Sequence, residues 1–153
     1  MTDYKFNKWD NTLNYSIYDN LVLSKIPKSN TNYDITNLTE FHNIDIIINL
    51  STTSDSYIVP ENSKYYNFCM EKKKLPSEND IFFILNIINS YTGNNKILIH
   101  CHYGFNRTGF IFINYLCKYK KLKLEEAKNI FLDIRGKGVK YEELNNYLVK
   151  NYD

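Results

Sequence analysis

The sequence contains no apolar run of membrane-spanning length and no basic start followed by an apolar stretch. Neither insertion nor export is therefore expected, and the reading is a soluble intracellular protein with no membrane partner. Cysteine is scarce. Cys69, Cys101 and Cys117 are odd in number and widely spaced, which excludes a disulfide framework and a zinc site built from paired ligands. Free thiols in a reducing compartment, cytoplasmic or nuclear, follow from this. Net charge is small as well: +2 is too little to announce a nucleic-acid binder by its sum, so any anion recognition must come from local clusters. No repeat or linker is evident, and 153 residues are too few for two domains, so residues 1–153 read as a single domain around one core. Hydrophobic and charged fractions of 43% and 24% are ordinary globular values and argue against disorder outside the ends. The over-use of Asn, Lys, Ile and Tyr fits a genome rich in A and T and carries no mechanism.

What is present is an alternation of strand and helix. Leu21 to Ile26 reads as a short strand stopped by Pro27, and Ile44 to Leu50 as a β-branched run too short for a buried helix. "ITNLTEFHN" places Ile35, Leu38 and Phe41 on one face of a short helix, and "KYYNFCM" supplies a third strand. A helix from about Ser77 to Thr92 is bounded by Ser77 as N-cap, with Asp80 three positions on, and by Gly93 as its stop. "KILIH", Lys96 to His100, is a strand; "RTGFIFINYLCKYK", "KLEEAKNIFLDI" and "YEELNNYLVKNY" are helices. The expected fold is α/β: a central, mainly parallel twisted sheet flanked by helices on both faces.

The stretch "HCHYGFNRTG", residues 100 to 109, is then a strand-loop-helix junction. Ligands in such folds sit beyond the carboxyl ends of the strands, and loop N–H groups ahead of a helix start form an anion cradle strengthened by the helix dipole. Phosphate is the natural guest. The same positive potential favours a thiolate at Cys101, whereas a free thiol titrates near ~8.5. Arg107 can grip two equatorial oxygens with its planar fork, which a lysine cannot reproduce. Gly104 and Gly109 fall where the backbone must curl or approach the helix closely. The bland alternative makes Cys101 a small buried hydrophobe and Arg107 an incidental helix start. A second alternative is a phosphate-sensing module that binds without turnover.

"HCHYGFNRTG" resembles the HCxxGxxR(S/T)G signature of the cysteine-dependent phosphatases, the protein-tyrosine and dual-specificity superfamily. The resemblance implies that Cys101 forms a phosphocysteine, Arg107 binds the phosphoryl group, Thr108 assists breakdown of the intermediate and His100 orients the loop and helps to depress the thiol pKa. It also implies that no metal or other cofactor is needed. Within the superfamily "GFNRTG", with Asn106 where most dual-specificity enzymes have Ser, is similar to the cysteine-type RNA 5'-triphosphatases of animal capping enzymes and their standalone relatives. "NLSTTSDSYIVPENSKYYNF" resembles that family's second-strand region, and "IRGKGVKYEELNNYL" its Arg-x-x-Gly segment, here Arg135 and Gly138. The likeness covers roughly Asn20 to Leu148. Where the family usually has Thr then His after the nucleophile, this chain has His102 then Tyr103, and Tyr103 either stacks on a nucleobase or covers the loop's apolar rim.

Leaving-group chemistry gives an independent argument about the substrate. A tyrosyl leaving group, with a pKa near ~10, needs a general acid, whereas a phosphate leaving from an anhydride has a pKa nearer ~6 to 7 and needs little help. In "FCMEKKKLPSEND" no Asp lies between Cys69 and Pro76; Glu71 is the only carboxylate there, and Asp80 is better explained by helix capping. The missing Asp favours RNA. Lys72, Lys73 and Lys74 beside it either meet a triphosphate tail or form a solvated loop. The expected substrate-binding set is His102, Tyr103, Gly104, Phe105, Asn106, Lys72, Lys73 and Arg135. The expected activity is removal of the γ phosphate, and then the β, from 5'-phosphorylated RNA, with a phosphoprotein phosphatase as the alternative. With no room for a guanylyltransferase domain, a role in capping calls for a separate partner. His42 reads as an ordinary helix-end residue, and Cys69 and Cys117 as core thiols.

Overall fold

The computed structural model describes residues 14–36, 43–91 and 94–153. A five-stranded sheet is formed by β1 (Tyr15–Tyr18), β2 (Leu21–Ser24), β3 (Ile44–Asn49), β4 (Lys64–Asn67) and β5 (Lys96–His100), in the spatial order β1-β2-β5-β3-β4. Only the β1–β2 pair is antiparallel; β2, β5, β3 and β4 run parallel. This topology puts the carboxyl ends of β2, β5 and β3 side by side, with His100 paired to both Ser24 and Asn49. The loop that follows β5 therefore emerges at the centre of the sheet.

Four described helices, α1 (Glu78–Ser90), α2 (Asn106–Tyr119), α3 (Leu124–Arg135) and α4 (Glu142–Tyr152), share one core with one face of that sheet. Leu21, Leu23, Ile46, Ile48, Ile97 and Ile99 point into it. The central helix α2 is apolar nearly all round, and Phe110, Ile111, Phe112 and Leu116 are wholly buried, as a helix enclosed by neighbours and a sheet requires. Val22, Ile44, Ile47 and Leu98 point to the other face, where Tyr33, Ile35 and Tyr57 cover them. A bulge in β3 between Ile44 and Ile46 shifts the register by one residue and lets Ile44 and Ile47 share that face. Among the described residues loop segments cover it. The expected helix carrying Leu38 and Phe41, and His42 with it, falls largely outside them.

Several element ends differ from the sequence expectation for local reasons. β2 stops at Ser24, and the Ile26 N–H turns to donate to the His102 carbonyl at 3.1 Å. β4 stops at Asn67 because Cys69 takes a left-handed φ of 48°. Ser77 caps α1 by accepting from the Asp80 N–H at 3.1 Å, as its sequence indicates; Thr92 and Gly93 lie outside the described residues. The one strand without a sequence counterpart is β1, four residues joined to β2 through Asp19 at φ 50° and Asn20. Its Ser16 is buried and donates to the Ile134 carbonyl at the end of α3.

Candidate active site

The loop 101–105 joins β5 to α2, and its curvature rests on Gly104. That residue has φ +83°, and a Cβ there would lie 2.6 Å from the Ser24 carbonyl carbon and 2.7 Å from the Lys25 nitrogen. Backbone is pressed on backbone, so only glycine fits. Gly109, one turn into α2, is constrained by packing: an added Cβ would lie 2.6 Å from the Phe131 ring on α3. Both glycines have the close approaches that their place in the motif implies, Gly104 against the end of β2 and Gly109 against α3.

Cys101 is buried and its Sγ accepts two hydrogen bonds, from the Gly104 N–H and from the Thr108 hydroxyl, each at 3.2 Å. Helix α2 starts just beyond it. Its N-cap, Phe105, offers no side-chain acceptor, so the positive end of the helix and its first-turn N–H groups are left to the loop. Arg107, also buried, donates from Nη1 to the Met70 carbonyl at 2.9 Å, which fastens the loop to the segment after β4. Thiol and hydroxyl thus meet beside the start of α2, whose first turn carries the buried Arg107, the residue types an anion and a nucleophile attacking it both require.

His100 lies behind the loop with no exposed surface. Its Nδ1 lies 3.3 Å from the Cys101 carbonyl, which can only accept, so Nδ1 carries the proton. Nε2 is then the acceptor for the Tyr57 hydroxyl at 2.6 Å. Burial, outweighing the Cys101 carbonyl bond, depresses His100 to about 4, with Arg107 acting in the same direction. The ring is neutral at physiological pH and acts on Cys101 by orienting its peptide, not by lending it a positive charge. Burial foremost, and the neighbouring Tyr65 next, raise the Tyr57 phenol above its ordinary value, so it remains a donor. Asn49, wholly buried, donates in turn to the Tyr65 hydroxyl at 2.9 Å.

Three expected substrate-binding residues also have structural partners within the protein. Arg135 is wholly buried beneath the loop, where it donates to the Gly104 carbonyl at 3.2 Å and the Tyr103 carbonyl at 3.4 Å, and its guanidinium lies 4.8 Å from the Phe105 ring centre. It supports the cradle from behind. The Asn106 side-chain oxygen is occupied by the Lys140 N–H at 2.6 Å, which ties the segment after α3 to the start of α2. Gly104 is buried, sets the loop's shape and turns its N–H to the Cys101 Sγ. The expectation of core thiols holds for Cys117, pushed by burial to about 11, but fails for Cys69, which is exposed because it follows the edge strand through a left-handed turn.

The mouth is cationic and aromatic. Tyr103 is 60% exposed, His102 and Phe105 flank it, and Lys72 stands 6.0 Å from its ring centre. Lys73 stands 5.9 Å from the Tyr141 ring, and Lys137 5.4 Å from that of Phe105. Glu71 is exposed and paired with Lys74 at 3.1 Å. Sequence reasoning missed Tyr57, Lys137 and Tyr141; the hydrophobic pattern carries no signal for a phenol 43 residues from its histidine.

The dual specificity phosphatase catalytic-domain family model matches residues 28–152. The chain belongs to the dual specificity phosphatase family. It is 30% identical over 101 residues to the RNA/RNP complex-1-interacting phosphatase of Bos taurus, covering 61% of this chain and 30% of that protein. It is 25% identical over 111 residues to the mRNA-capping enzyme of Caenorhabditis elegans, covering 67% of this chain and 18% of that one. The chain thus spans a third or less of the length of these relatives. The crystal structure of P. aeruginosa TpbA shares the phosphatase fold, with a TM-score of 0.75 at 14% identity over 95% of this chain and 89% of that one.

Proposed function

We propose that this dual specificity phosphatase is a polynucleotide 5'-phosphatase that removes the γ phosphate of triphosphate-ended RNA, and the β phosphate in a second round, through a phosphocysteine. Cys101 Sγ attacks the terminal phosphorus and the bridging P–O bond breaks, so the shortened RNA end leaves with that oxygen. Water then cleaves the S–P bond, releasing phosphate and restoring the thiol, with the Thr108 hydroxyl as the donor to returning sulfur charge. Arg107 and the first-turn N–H groups of α2 hold the equatorial oxygens.

The observation that carries the choice of substrate is Glu71. It is the only carboxylate between Cys69 and Pro76, and it is held in an exposed ion pair with Lys74 instead of standing free as a general acid. Such a site suits an anhydride, whose phosphate leaving group needs little protonation near neutral pH, better than a phenolic ester. Lys72 and Lys73 at the mouth, and the names of the bovine and nematode relatives, support the same reading.

The test is kcat/KM for triphosphate-ended RNA beside that for a phosphotyrosyl peptide, with radiolabelled phosphate trapped on the wild type and not on Cys101→Ser. The RNA rate should exceed the peptide rate. A faster peptide would leave a protein phosphatase as the reading, and a Cys101→Ser variant that still turns over would overturn the nucleophile.

A further inference from the structure

Two lysines and a tyrosine on the segment between α3 and α4 have no part in the chemistry above. Lys137 and Lys140 are exposed, Tyr141 is half-buried, and all three belong to the segment that Asn106 holds against the catalytic loop through the 2.6 Å bond from the Lys140 N–H. A second tie joins the same neighbourhood to the segment after β4: the Leu75 N–H donates to Glu143 Oε1 at 3.1 Å, and Lys73 lies over the Tyr141 ring. Lys72 and Lys73, adjacent in sequence, thus lean on two different walls, Lys72 on Tyr103 of the catalytic loop and Lys73 on Tyr141 at the start of α4. The neighbouring carboxylates do not cancel this charge: Glu71 is paired with Lys74, which leaves Lys72, Lys73, Lys137 and Lys140 against Glu142 and Glu143, an excess of positive charge.

We infer that residues 137–141 form the second wall of a track for single-stranded RNA, with Lys137 and Lys140 meeting phosphates 3' of the first nucleotide and Tyr141 offering a face to a base. The inference rests on the RNA reading above and extends it. A cationic surface with interleaved aromatic rings is the chemistry that binds single strands without reading sequence. A free nucleoside triphosphate lacks the downstream phosphates that this wall would meet, so recognition becomes length-dependent. The rings already stand beside ammonium groups, which keeps each ring and each charge within reach of one nucleotide.

The test compares the wild type with the Lys137→Ala, Lys140→Ala double variant and with Tyr141→Phe and Tyr141→Ala, using a triphosphate-ended RNA of about ten nucleotides, within the site sizes typical of such grooves, and GTP. The double variant should raise KM for the RNA about tenfold at low salt, flatten the salt slope of log(kcat/KM) by about 1.4, near 0.7 for each lost phosphate contact on a single strand, and raise KM for GTP, which has no downstream phosphates, several-fold less than KM for the RNA. Tyr141→Phe should behave as wild type, and Tyr141→Ala should weaken the RNA about tenfold and GTP by several-fold less. An unchanged RNA KM and salt slope in the lysine variant, with the wild type still hydrolysing the RNA, would overturn the track and leave the RNA reading standing. A wild type inactive on the RNA but active on the phosphotyrosyl peptide would overturn both. Because both lysines are exposed, an unaltered melting temperature verifies that the loss belongs to binding.

Discussion

Tyr57 and His100, 43 residues apart, meet in a buried hydrogen bond of 2.6 Å that fixes the histidine tautomer and, through Nδ1, the peptide of the nucleophile. Tyr57→Phe removes the donor and leaves Nε2 buried without it. The expected cost is about 1 to 3 kcal/mol of stability, the penalty for stranding a buried acceptor, together with a kcat about tenfold lower and a KM nearly unchanged. Urea denaturation and steady-state kinetics on an aryl phosphate check this; an unchanged kcat would remove Tyr57 from the positioning of Cys101.

The same histidine predicts a pH dependence of stability. Its folded pKa, about 4, is below the ordinary 6.5, so between these values the unfolded chain binds the proton and the folded one does not. Stability therefore rises with pH through this window, is lost as pH falls from about 6.5 toward 4, and changes little from this source below it. At pH 5 the loss from His100 should be about 2 kcal/mol relative to pH 7.5. Denaturation curves at both pH values for wild type and His100→Gln isolate it: the variant should lack this part of the slope.

Gly104→Ala tests the pressure of the loop on the end of β2. An alanine at φ +83° with its Cβ 2.6 Å from the Ser24 backbone cannot be relieved by a rotamer change, so the loop must shift. A stability loss of at least about 2 kcal/mol is expected, along with a rate loss of at least ~10²-fold, the scale for a misplaced reacting group.

Arg107→Lys keeps the charge and loses the planar fork, and should lower kcat/KM by at least ~10²-fold. Activity of the wild type should survive excess EDTA, because guanidinium and helix N–H groups supply the positive charge that a cation would otherwise bring. A requirement for magnesium or manganese restored by metal addition would refute that assignment.

The elements with strong local signals were legible in the sequence. Lys96–His100 and the capped start at Ser77 appear where their patterns place them, and the contact of Cys101 with Thr108 lies within the motif. β1 escaped because four residues with two half-buried positions carry little periodicity, although the Asp19-Asn20 pair between "YSIY" and "LVLS" is a turn signal. Arg135 and Asn106 were legible as important but not as to direction. A motif fixes spacing along the chain, whereas the side of a loop that a guanidinium reaches depends on α3 packing beneath it, which local sequence does not encode.

The buried contact from Ser16 to the end of α3, with Arg135 next to it gripping the loop, has a consequence for how activity is acquired. The nucleophile's loop is held by Arg135, 31 positions beyond Gly104, and the end of that helix is held in turn by Ser16, 118 positions before Ile134, so a growing chain carries Cys101 before it carries the clamp. The cradle should be the last part of the molecule to become competent, as non-local contacts are the slowest to close. In a refolding experiment secondary structure should recover first, and binding of a phosphate analogue only with the final phase.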